Sequence, residues 1–269
     1  MIITNLGADM ERFRRVCALA IGVLVLGLPT LWAQKPKSKG EIEAIQAVQA
    51  AKTPDEQIKA IENVLTKYAD TEFKNVLIEM AMQIEEQKGD FAQTVFYAER
   101  LLDADPKSAA ALVTLASETA RHTREFDLDK EEKLTKVDKW AKAAIDVAPS
   151  APKPNANIPD AQWDSAKKDM QAQAYVAMGM AASLRKKYDD SIADYKQALA
   201  VGSVQDPANW VRLGQSCLDA NKLDEASDAF DKALSASNAS PQVKSIAQAK
   251  KDETAKRKAG AKPPGGSNF

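Results

Sequence analysis

Few residues in this chain have the types and spacing that chemistry needs. His122 is its single histidine, which excludes a His-paired metal motif such as H-E-x-x-H and the usual histidine general base. It falls in a polar stretch, Arg121–Asp129, and reads as a solvated loop residue. Glu85-Glu86 and Asp189-Asp190 are neighbouring carboxylates, but neighbours on a helix point about 100° apart, so neither is a catalytic pair. There is no C-x2-C and no glycine-rich phosphate loop. Cys217 sits in a packing slot of a helix and reads as a small buried hydrophobe, since a reactive thiol needs an exposed, electropositive setting. No catalytic residue, metal or cofactor is implied. What remains to act is surface.

The elements that shape that surface are legible from Trp210 to Ala233. Leu213 and Gly214 share one face of a first helix, where the small glycine lets a second helix approach closely. Ala226, Phe230 and Ala233 are four and three apart and form one stripe on that second helix. The same pattern recurs 35 residues earlier. Tyr175 stands for Trp210, Met178-Gly179 for Leu213-Gly214, and Ser191, Tyr195 and Ala198 for Ala226, Phe230 and Ala233. The inter-helix turn recurs too, as Lys187-Tyr188-Asp189-Asp190 and Lys222-Leu223-Asp224-Glu225. The pattern resembles the tetratricopeptide repeat, W-x2-L-G-x2-Y then A-x3-F, with Cys217 in the tyrosine slot. The resemblance implies an all-α, right-handed superhelical solenoid of antiparallel helix pairs that stack because no pair buries its stripe alone.

Earlier units diverge. Gly89-Asp90-Phe91 marks one turn between a helix over Lys74–Gln87 and a stripe of Thr94, Ala98 and Leu101-Leu102 that ends at Asp105-Pro106. The next unit starts near Ala109, and its second helix runs over Lys130–Val147 to Pro149. Pro106 to Pro149 spans 43 residues, longer than the roughly 34-residue repeat period, and the excess is placed in Arg121–Asp129. A degenerate pair, Ile42–Ala51 and Pro54–Tyr68, precedes them, so four repeats and an N-terminal fifth are expected. The domain reading is a signal peptide or anchor over 1–33, a linker over 34–40, divergent helix pairs over 41–149 and a proline-rich linker over 150–159. A C-terminal repeat pair with a capping helix follows over 160–249, then a disordered tail over 250–269.

In tetratricopeptide arrays the first helices line a concave groove that holds a peptide or helix. By register that groove presents Glu79, Gln83 and Glu86, then Val113 and Ser117, at the front of this chain. At the back it presents Val176, Met180 and Leu184, then Val211, Gln215 and Leu218. The lysine and asparagine carboxylate clamp of cochaperone members is absent from these slots. An apolar back strip favours an amphipathic helix or apolar peptide. The competing reading has the strip covered by the chain's own C-terminal helix, Pro241–Lys258, because solenoids need a cap. The resemblance therefore implies a non-enzymatic scaffold for a protein or peptide partner; the alternative is a structural subunit of a cell-envelope assembly or secretion complex.

Charge and termini bound the rest. A near-neutral chain, net −1, offers no electrostatic footprint for nucleic acid. The basic stretch 11–15 followed by the apolar run Val16–Trp32 and Ala33 reads as a secretory signal, placing the protein in the periplasm or cell envelope. An uncleaved inner-membrane anchor over 16–32 is the other reading, and membrane contact is expected only then. Cleavage after Ala33 would leave Cys217 as the sole cysteine, so no intrachain disulfide would hold the exported fold. Intact mass of protein from the producing cell should correspond to a chain starting at Gln34; a species that keeps Val16–Trp32 would establish the anchor instead.

Overall fold

Eleven α-helices follow one another in the computed structural model, which describes residues 36–154 and 157–260, and no strand occurs among the described residues. They are α1 Lys39–Ala50, α2 Pro54–Lys67, α3 Lys74–Lys88, α4 Phe91–Ala104, α5 Ala109–His122, α6 Lys130–Val147, α7 Asp160–Leu184, α8 Tyr188–Val201, α9 Pro207–Asp219, α10 Leu223–Ser235 and α11 Pro241–Gly260. Many helix starts are written in the sequence. The side chains of Ser38, Thr53, Asp90, Ser108 and Asp206 each accept a first-turn backbone N–H, and Pro54 and Pro207 occupy positions where no N–H is needed. The helices pair as α1–α2, α3–α4, α5–α6, α7–α8 and α9–α10, and α11 closes the array against α10 and α9.

Three of the pair turns share one geometry. Gly89, Lys186 and Asn221 adopt positive φ of 75°, 61° and 58°. The following N–H then reaches back into the helix just left: Asp90 to the Glu85 carbonyl at 3.0 Å, Lys187 to Ala182 at 2.9 Å and Lys222 to Cys217 at 2.8 Å. This Schellman closure satisfies end carbonyls and reverses the chain in the fewest residues. A left-handed lysine is unfavourable by itself; Lys186 also pairs with Glu125 at 2.8 Å.

Packing within the last two units rests on two glycines. A Cβ on Gly214 would lie 2.5 Å from Cε1 of Phe230, and one on Gly179 would lie 2.9 Å from Cε1 of Tyr195. Phe230, Ala226 and Ala233 have no exposed surface, and Leu213, Tyr195 and Ala198 are buried with them. Tyr175 and Trp210 are half-buried. Lys232 Nζ sits 4.3 Å over the Trp210 ring, a cation–π contact. Ser191 Oγ donates to the Gly179 carbonyl at 2.9 Å and lies 2.8 Å from Ser216 Oγ, so buried hydroxyls tie α7, α8 and α9 together.

Several boundaries differ from the sequence reading. The stretch expected to be disordered from Lys250 is helical through Gly260. Thr254 is fully buried there, Lys258 pairs with Asp224 at 2.7 Å, and Arg257 donates to the Leu218 carbonyl at 3.4 Å. Contacts to earlier helices thus order a sequence with weak amphipathicity of its own. The front linker is shorter than expected, because Ser38 caps α1 and Lys37 pairs with Asp70 at 2.8 Å. The proline-rich linker does not part the solenoid. The Trp163 indole donates to the Ala151 carbonyl at 2.9 Å, and Gln171 donates to that of Ile145 at 3.1 Å. The excess residues do not all fall in Arg121–Asp129: α5 stays helical through His122, and α6 is long, at 18 residues. The N-terminal signal or anchor and residues 261–269 lie outside the described residues.

Gly214→Ala should lower the urea midpoint. The added methyl overpacks a buried ring at a cost of about 1–3 kcal/mol, more than the roughly 1 kcal/mol that alanine gains in helix propensity. Gly179→Ala should act in the same direction and less. An unchanged midpoint for Gly214→Ala would show that Phe230 moves aside freely.

Candidate functional site

The apolar back strip is core. Val211 on α9 is 2% exposed and Leu218 has no exposed surface. Val176 and Met180 on α7 are half-buried and pack against the cluster that holds Val211, Leu218, Phe230, Val243 and Ala247. Leu184 packs against the middle cluster with Ala177 and Ala181. Gln215 donates from Nε2 to Asp219 at 2.9 Å, while its Oε1 is shut from solvent and accepts nothing. The reason is α11, which supplies Val243 and Ala247 to this cluster and takes the place of a further first helix. Val211 and Leu218 are therefore packing residues and not open groove slots, and glutamate at position 211 would break the fold before it tested binding.

The front differs. Glu79, Gln83 and Glu86 sit one turn apart along α3 and are half-buried, with Gln83 Nε2 donating to Glu79 Oε1 at 3.4 Å. Across from them, α5 is buried along almost its whole length, Val113 and Ser117 included. Its polar contribution comes from its last turns. Glu118 pairs with Arg121 at 3.2 Å and lies 3.5 Å from His122 Nδ1. His122 is not in a loop: it belongs to the final turn of α5 and stacks on Phe91 with ring centroids 4.1 Å apart.

This wall shifts its own acids. Burial raises Glu79 above the ordinary carboxylate range, with Asp105 adding repulsion. Glu86 is pushed up to about 8, first by burial and then by the Glu118 charge, against a smaller opposing pull from Arg121. Oε1 of Glu86 is closed off from solvent and accepts no hydrogen bond. The sequence reading placed Glu79, Gln83 and Glu86 on the groove, and the structure sets Glu118 and Arg121 beside Glu86. Those two were missed; the available signal was a polar i,i+3 pair closing an otherwise apolar helix. Elsewhere, burial pushes the Cys217 thiol up to about 11, which leaves it inert. The α5–α6 loop exposes Phe126 and Leu128 fully, a feature hidden in a stretch that reads as polar.

Glu86 sets a pH dependence with a definite sign. Its native pKa of about 8 lies above its ordinary 4.5, so the folded chain binds the proton more tightly than the unfolded chain. The stabilisation is complete below 4.5 and is lost as pH rises through about 8. The urea midpoint should fall from about pH 5 to about pH 9, and Glu86→Gln should flatten part of that fall. An identical pH profile in the variant would show that Glu86 titrates normally.

The family model for the tetratricopeptide repeat matches residues 172–201 and 207–240, the segments that form the end of α7 with α8 and α9 with α10. Among solved structures, the chain is similar to TTC0263, a thermophilic tetratricopeptide-repeat protein of Thermus thermophilus. That likeness has a TM-score of 0.52 at 16% identity and covers 79% of this chain and 95% of that one. It is also similar to the MamA protein, with a TM-score of 0.53 at 14% identity, covering 84% of this chain and 98% of that one. At these identities the likeness speaks to fold alone. No curated protein matches the chain. The chain thus carries two tetratricopeptide repeats, residues 172–201 and 207–240, stacked in one helical array with the divergent pairs before them.

Proposed function

We propose that this chain is an exported, non-enzymatic scaffold that holds a segment of a partner protein against the front of its array, along α3 and the end of α5. One observation carries the reading. Glu79, Gln83 and Glu86 form a half-buried polar stripe with an unsatisfied acceptor, whereas most of the apolar slots at the back are filled by the chain's own helices. Buried polar groups ordinarily find partners, and the part of this stripe that remains exposed is where a polar ligand can supply them. Export rests on the basic and apolar N-terminal residues, 11–33. Among the described residues no helix is long and apolar enough to cross a membrane.

A photo-crosslinking residue placed at Gln83 should yield a discrete adduct in the producing cell, and the same residue at the exposed Lys196 of α8 should not. Adducts from position 196 with none from position 83 would move the binding surface off the α3 wall.

A further inference from the structure

The wall between α3 and α5 holds more acceptors than its own donors satisfy. Glu79, Glu86 and Glu118 contribute three carboxylates, with the repulsion of Asp105 felt at Glu79. The nearby guanidinium, Arg121, is already engaged by Glu118 at 3.2 Å. Gln83 gives one of its two amide N–H donors to Glu79 at 3.4 Å. Glu86 Oε1 has no hydrogen-bond partner, while the side chain as a whole is only half-buried, so a charged donor arriving at the exposed part of the stripe meets a carboxyl short of partners. Lysine and arginine carry donors only, and a charged donor makes the stronger bond to a carboxylate. An acidic segment would bring further negative charge to a wall where ionisation is already costly, and an apolar segment would leave the acceptor orphaned. A metal ion is disfavoured, because no group of three metal-ligating side chains occurs among the described residues.

We propose that this wall receives a lysine or arginine side chain from an extended segment of a partner protein, which deepens the scaffold reading and rests on it. The pairing has a proton consequence. In the empty wall burial keeps Glu86 largely protonated at neutral pH, with Glu118 and Arg121 acting on it from α5, His122 beside them and Glu79 on its own helix. A cation seated against Glu86 favours the carboxylate, so the carboxylic acid proton leaves to the buffer as the ion pair forms. Binding therefore releases a proton at neutral pH and tightens as pH rises toward 8.

The probes are short fluorescent Gly/Ser peptides carrying two arginines, two lysines or two glutamates, titrated into the intact protein. Saturable binding of the arginine and lysine peptides and not the glutamate peptide is expected, weakening between about 50 and about 500 mM salt. The isosteric pair Glu79→Gln with Glu86→Gln should weaken the arginine peptide by about tenfold or more, with helical content kept. Calorimetry in two buffers of different ionisation heat should show proton uptake by the buffer that Glu86→Gln abolishes. Equal binding of the glutamate peptide, no saturable binding of either cationic peptide, or an unchanged affinity in the double variant overturns the proposal. Should the double variant misfold, the three peptides on the unaltered protein still decide it. A crosslink from position 83 that survives the double substitution would sink the cationic chemistry and leave the scaffold standing; absence of any crosslink there sinks both.

Discussion

Phe230 is wholly enclosed because Gly214, on the facing helix, has no side chain to hold it off. Tyr195 stands to Gly179 in the same way one unit earlier. This close approach sets the distance between the two helices in each of these two units. The helices are near enough for Ser191 to reach the Gly179 carbonyl and Ser216, which joins one unit to the next without leaving a buried hydroxyl unpaired. Tight pairing also demands tight reversal, which the left-handed residues Gly89, Lys186 and Asn221 supply.

An array built this way has an end problem. Each unit offers its neighbour an apolar face, and the last one needs a cover. Here α11 is the cover, and it absorbs the strip that runs through Val211 and Leu218. Most of its length is polar, so its order depends on a few contacts: Val243 and Ala247 in the core, Thr254 buried, and Lys258 and Arg257 reaching back to α10 and α9. With the back closed, the half-buried polar stripe of α3 stands apart at the front.

The front is chemically unusual for the same reason that the back is closed. Glu86 is desolvated by its neighbours although its side chain as a whole is only half-buried. Glu86 keeps its proton up to about 8, and Glu118 on the next first helix strengthens the effect. A carboxylate that is costly to ionise and short of donors is poised to respond to a cation, and ordinary surface glutamates are not.

Local sequence determined the helices, their pairing and the identity of the last two units. Caps, turn residues and the Gly-x-aromatic spacing act within about one repeat length, and each specifies its neighbourhood regardless of the remainder. The same logic located Glu79, Gln83 and Glu86 on one face of α3. Which groove slots stay open was decided by tertiary structure alone. Val211 looks like Val176 in register, but it is buried in a cluster that includes Val243 and Ala247 of α11, about one repeat further along the chain. Glu86 and Glu118 belong to different units, and only the folded array brings the Glu118 charge within reach of Glu86. The order of residues 250–260 likewise comes from contacts with α9 and α10, because electrostatic and burial energies depend on distance in space and not on distance in sequence.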